Sequence, residues 1–162
     1  GLRFAGVTVP QGSTIKDAFI DLRSRQSNSD TTEVFIVGQN IGNASPLASF
    51  GNDISSREPT PDAVNVEWDF PPFTSNNQKK TSPNIKTIVQ EIVNRADWST
   101  GNAMFFRLQH ENGSALGGMQ GANNAAFRRI RTSEHGNSSR HPKLRIETEI
   151  RQKCLFLPFS AM

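Results

Sequence analysis

The 162-residue chain has one cysteine, Cys154, and no tyrosine. A single thiol excludes an internal disulfide framework and leaves three states open: a buried thiol, a free surface thiol or a bridge between chains. Without tyrosine, an aromatic platform for stacking on sugars must draw on phenylalanine or on Trp68 and Trp98. No stretch approaches the ~18 uninterrupted apolar residues of a membrane-spanning helix. The three histidines, His110, His135 and His141, have no zinc-ligand spacing, and no Gly-x-Ser-x-Gly elbow is present. Catalytic signatures are therefore missing as well. The opening at Gly1, without Met or a signal-like segment, reads as processing or trimming.

What the chain does have is turn chemistry and short apolar groups. Nine prolines, 12 glycines and abundant Ser and Asn, with 35% apolar residues, fit a turn-rich β protein of one domain. Leu2 to Val9 reads as a strand closed by the turn Pro10-Gln11-Gly12-Ser13. In Thr14 to Arg23, Ala18, Ile20 and Leu22 alternate with Phe19, Asp21 and Arg23, the period of a sheet with one buried face. Glu33 to Gln39 is apolar on both faces. A long polar connection, Asn40 to Asp62, leads to the alternation Val64, Val66, Trp68. Further strands are expected over Ala103 to Gln109, Ala125 to Thr132 and Lys143 to Ile150. One helix is expected at about residues 83–95, capped by Ser82 with Pro83 in its first turn and an apolar stripe of Ile85, Ile88, Val89, Ile92 and Val93. The fold expected is all-β: an antiparallel jelly-roll β-sandwich over residues 1–151 with one α-helix, followed by an apolar tail, residues 152–162.

Charge is unevenly placed. The net charge is +3, with nine basic against four acidic residues from Arg107 onward and nine against eleven before it. Arg128, Arg129 and Arg131 fall on one expected strand, and Arg140, Lys143, Arg145 and Arg151 on or beside the last. Were those strands to pair, their cations would form one patch suited to a polyanion. The alternative is a solvated face neutralised by Glu147 and Glu149. The tail residues Cys154, Leu155, Phe156, Leu157 and Phe159 are the candidates for self-association. The carboxylate pairs Asp17 and Asp21, Glu67 and Asp69, and Glu147 and Glu149 read as the solvent face of strands rather than as acid and base across a cleft. Trp68 and Trp98 read as core. Asn43, Asn112 and Asn137 begin N-glycosylation acceptor triplets, at a frequency near chance in so Asn- and Ser-rich a chain.

Residues 1–15 from Gly1-Leu2-Arg3-Phe4, Ile54-Ser55-Ser56-Arg57, residues 81–95 with Val89-Gln90-Glu91-Ile92-Val93-Asn94-Arg95, Trp98, Gly101-Asn102-Ala103 and His141-Pro142-Lys143-Leu144-Arg145-Ile146-Glu147 resemble a secreted β-sandwich module. It is loosely similar to the DNRLRE-type, carbohydrate-binding-module-like domains of large extracellular proteins. The resemblance extends to about residue 148 and implies a non-catalytic extracellular module, with further strand sequence before the position of Gly1. At Arg131-Thr132-Ser133-Glu134-His135-Gly136 the chain departs from an acidic and aromatic family segment, so no ligand set is carried over.

The function expected is that of a secreted structural or adhesive protein that self-assembles into an oligomer or filament. Its surface partner is an anionic polysaccharide or a mineral such as silica, and no cofactor or metal is called for. The alternative is a carbohydrate-binding module of a polysaccharide-degrading enzyme, with a hydrolase ranked last. Nucleic acid is disfavoured, because no aromatics interleave the cations.

Overall fold

A computed structural model describes residues 1–28, 32–48, 51–109, 129–133 and 135–149. Among these, seven strands form two antiparallel sheets, with one short helix. The strands are β1 (Leu2–Phe4), β2 (Ile15–Arg23), β3 (Thr32–Gly38), β4 (Val66–Phe70), β5 (Lys79–Thr81), β6 (Met104–Gln109) and β7 (Lys143–Thr148), and the helix is α1 (Lys86–Asn94). The four-stranded sheet runs β1-β6-β3-β4 and the three-stranded sheet β5-β2-β7.

The period-2 pattern places the core. On β2, Ala18, Ile20 and Leu22 are buried, and they share one apolar cluster with Val34 and Ile36 of β3, Trp68 and Phe70 of β4, and Met104 and Phe106 of β6. The helix adds its stripe of Ile85, Ile88, Val89, Ile92 and Val93 to the same cluster, each side chain withdrawing apolar surface from water. Trp98 is 1% exposed, and its indole N–H donates to the Val9 carbonyl at 2.9 Å. Trp68 stacks on Phe70 at a 4.0 Å centroid distance.

Several sequence expectations need correction. The first strand ends at Phe4, because Gly6 takes a left-handed φ of 69° and breaks the ladder to β6. The helix starts at Lys86, and Ser82 does not cap it. The Ser82 hydroxyl accepts the Ile20 N–H at 2.9 Å and donates to the Pro83 carbonyl at 2.7 Å, tying the helix approach to β2. Asn84 Oδ1 accepts the Lys86 N–H at 3.1 Å and satisfies one of the helix's open donors instead. Val64 lies in a 3-10 turn, Asp62–Val64, ahead of β4. Strand β5 was not foreseen: as an edge strand, Lys79–Thr81 carries no apolar alternation. Of the strand expected over 125–132, the described part is one bridge, Ser24 to Ile130.

The polar connection after β3 folds back over the outer face of the four-stranded sheet. Arg57, 8% exposed, holds it there: its guanidinium lies 4.7 Å above the Phe105 ring centroid, bonds the Ser45 and Pro46 carbonyls and Gln39 Oε1, and pairs with Asp53 at 3.0 Å. That bond to Arg57, with help from the Ala48 N–H, holds the Asp53 carboxyl below the ordinary carboxylate range.

Candidate anion-binding face

The outer face of the three-stranded sheet is set by alternation. With Ala18, Ile20 and Leu22 turned inward, β2 presents Asp17, Phe19, Asp21 and Arg23 outward. The register then places Arg145 opposite Phe19, Lys143 and Thr81 on either side of Asp21, and Lys79 opposite Arg23. Cations from three strands meet around one carboxylate.

Asp21 is 8% exposed and organises the cluster. It accepts the Thr81 hydroxyl at 2.6 Å and the Arg145 guanidinium at 2.9 and 3.3 Å, and the Lys79 ammonium stands 3.6 Å away. Burial alone would raise this carboxyl. The Thr81 bond and the charges of Arg145 and Lys79 outweigh it and hold Asp21 below its ordinary value. Arg145 is further fixed over Phe19, 5.2 Å from the ring centroid. Asp21 is therefore no mere solvent-face carboxylate. Glu147 is one, paired at 2.8 Å with Lys16, whose pKa it raises through that bond.

Beside Asp21 lies a concavity of about 190 Å³, lined by Asp21, Arg23, Lys79, Ser139, His141 and Lys143. Three cations face one carboxylate there. Among the described residues Lys143 enters no ion pair, so its ammonium is available to a ligand. Arg23 donates to the Asn77 carbonyl at 3.0 Å, which leaves further guanidinium donors for the concavity. His141 Nε2 lies 2.6 Å from the His135 carbonyl, and since a carbonyl only accepts, that nitrogen carries hydrogen.

The expected patch is thus assembled differently from the sequence reading. The 129–131 segment does not pair with β7. Arg25 N–H donates to the Arg129 carbonyl at 2.7 Å and Arg131 N–H to the Arg23 carbonyl at 2.8 Å. Residues 129–131 therefore run beside 23–25, while β7 runs beside Ile15–Asp21. Arg131 is half-buried and donates to Asn76 Oδ1 at 3.0 Å; Arg129 is exposed. Arg140 ends a 3-10 turn, Ser138–Arg140, next to the concavity-lining Ser139. Lys143 and Arg145 share the outer face of β7 as expected. Arg128 and the tail residues Cys154, Leu155, Phe156, Leu157 and Phe159 lie outside the described residues. Arg23 and Lys79 were missed, although the outward alternation of β2 was a usable signal for Arg23.

On the outer face of the other sheet, Glu33, Glu67 and Asp69 are exposed with carboxylate oxygens within 4.8 Å of one another. The two sheets thus carry outer clusters of opposite charge. No family model, curated protein or solved structure matches the chain.

Proposed function

We propose that the protein is a non-catalytic, secreted adhesive module whose three-stranded sheet binds a polyanion. Sulfated or uronic polysaccharide is the favoured class, and an anionic mineral such as silica meets the same face. The carrying observation is the concavity in which Arg23, Lys79 and Lys143 converge from three strands beside a single carboxylate. At about 190 Å³ it is smaller than the roughly 300–1,000 Å³ of a small-molecule pocket, which suits local contact with a repeating surface or chain better than an enclosed substrate. The two sheets are read as a jelly-roll sandwich, a reading supported by a chain that changes sheet at every connection except β3 to β4. The resemblance to extracellular modules supports secretion, and the apolar composition of residues 152–162 supports an adhesive, self-associating role.

The test is titration with heparin and with a polyuronate at rising salt. Wild type is expected to bind both and to lose roughly tenfold or more in affinity between about 50 and 200 mM salt, as counterion release requires. The variant Arg23→Gln/Lys79→Gln/Lys143→Gln is expected to lose most of the binding and most of the salt dependence. Tight, salt-independent binding of a neutral oligosaccharide would replace this reading with that of a carbohydrate-binding module.

A further inference from the structure

Among the described residues, the shared core is left open along one side. Strand β1 is an edge of the four-stranded sheet and β7 an edge of the three-stranded sheet. Between them runs a groove of about 460 Å³, with Phe4, Val7, Val9, Leu144 and Ile146 in its lining and Ala5 at its rim. Leu144 and Ile146 stand opposite Ile20 and Ala18 on the inward face of the sheet. Yet Ile20 and Ala18 are 1% and 0% exposed, while Leu144 and Ile146, packed against the same cluster, are only half-buried. An inward apolar row only half-buried, next to a strand edge that no described residue pairs, has the form of a site for an added strand.

We propose that this groove receives the apolar C-terminal segment, residues 153–159, of a second copy of the chain. The inference rests on the self-association part of the proposed function and gives it a place. In the run Cys154-Leu155-Phe156-Leu157 both alternating faces are apolar, so an extended strand in either register brings apolar side chains to the groove. Pro158, without an N–H, ends such a ladder.

A second copy is favoured over the chain's own tail by where β7 leads. Glu149 N–H still donates to the Thr14 carbonyl at 2.9 Å, so the chain is in line with β7 at its last described residue. Return to its own groove needs a tight reversal over Ile150-Arg151-Gln152, which holds no Gly, Pro, Asn or Asp. Extended, the 13 residues after Glu149 span about 43 Å, ample to reach a neighbour. Because tail and groove are different surfaces, a one-way contact is head-to-tail and builds rings or chains of molecules, whereas reciprocal exchange of tails closes a dimer.

The test uses full-length protein under reducing conditions in sedimentation velocity. Wild type is expected to form concentration-dependent oligomers. Leu155→Asp/Leu157→Asp is expected to weaken association at least tenfold. Ala5→Trp, which fills the groove from an exposed position and spares the core, is expected to do the same. An equimolar mixture of these two variants should stop at dimers, since each retains one working surface. A wild type that stays monomeric would overturn the proposal in favour of the chain's own tail or an empty groove. Association unchanged in both variants would overturn it in favour of another surface, and association lost on adding reductant or in Cys154→Ser would assign it to a disulfide. Heparin binding measured on the tail variant reads the basic face separately, so the two proposals fail independently.

Discussion

Asp21 opposes stability to binding within one side chain. Its carboxylate orders Thr81, Arg145 and Lys79, and it also cancels part of the positive charge a ligand would meet. Asp21→Asn is expected to cost roughly 1.5–3 kcal/mol at neutral pH, the range for hydrogen bonds to charged groups, while heparin elution moves to higher salt. The pH dependence has a definite sign. A carboxyl lowered on folding stabilises fully above its unfolded value of about 3.9, and that contribution disappears as pH falls through the lower folded value. Urea denaturation of wild type and Asp21→Asn should differ most above about pH 5 and converge in stronger acid. A constant difference down to pH 2 would mean that the Asp21 charge does not hold the three strands together. Arg57 shows the limit of reading single residues in the sequence. Nothing in Ile54-Ser55-Ser56-Arg57 indicates burial, since its partners Gln39, Ser45 and Pro46 come from another part of the chain. Arg57→Met is expected to lower stability by about 2–3 kcal/mol in the same denaturation measurement, because the acceptors on Gln39, Ser45, Pro46 and Asp53 lose a charged donor together.

At the scale of elements, legibility followed burial. The α1 stripe and the alternations of β2 and β4 were plain because each packs one face on the core, and hydrophobic period reports that directly. Strand β5 was invisible, because an edge strand reading Lys79-Lys80-Thr81 is defined by its hydrogen bonds to β2 rather than by buried side chains. The same blindness left Arg23 and Lys79 out of the expected basic group. Sequence proximity grouped the arginines of the C-terminal third, whereas pairing with β2 brought in Arg23 and Lys79 from the N-terminal two-thirds. The seat of α1 on the sheets is testable at Gly38, the last residue of β3. A Cβ there would land on Ile88 Cγ2, 2.5 Å away, and crowd Thr60 and Ile92. Gly38→Ala is therefore expected to destabilise by about 1–3 kcal/mol as an overpacking change, seen as a lower thermal midpoint. The paired variant Gly38→Ala/Ile88→Ala should cost less than the sum of the two single variants, because alanine at position 88 lacks the Cγ2 that meets the new methyl.

At the scale of the whole molecule, the outer faces of the two sheets carry clusters of opposite sign: Arg23, Lys79, Lys143 and Arg145 around Asp21 on one, which also bears Asp17 and Glu147, and Glu33, Glu67 and Asp69 on the other, which also bears Arg3 and Arg107. A net charge of +3 hides this division. Near a negatively charged surface the molecule experiences attraction on one side and repulsion on the other, so adsorption selects an orientation before any specific contact forms. The consequence is a pattern of lysine protection. On sulfated beads, acetylation of Lys79 and Lys143 should slow several-fold relative to free protein. Lys86, exposed at the start of α1, should react at its free rate. On amine-bearing beads the protection of Lys79 and Lys143 should vanish, because the acidic face now turns inward. Salt should erase the difference once the screening length falls to a few Å, near 1 M. Uniform protection of all three lysines on sulfated beads would mean adsorption without orientation, and the division of charge would then have no part in how the module meets its surface.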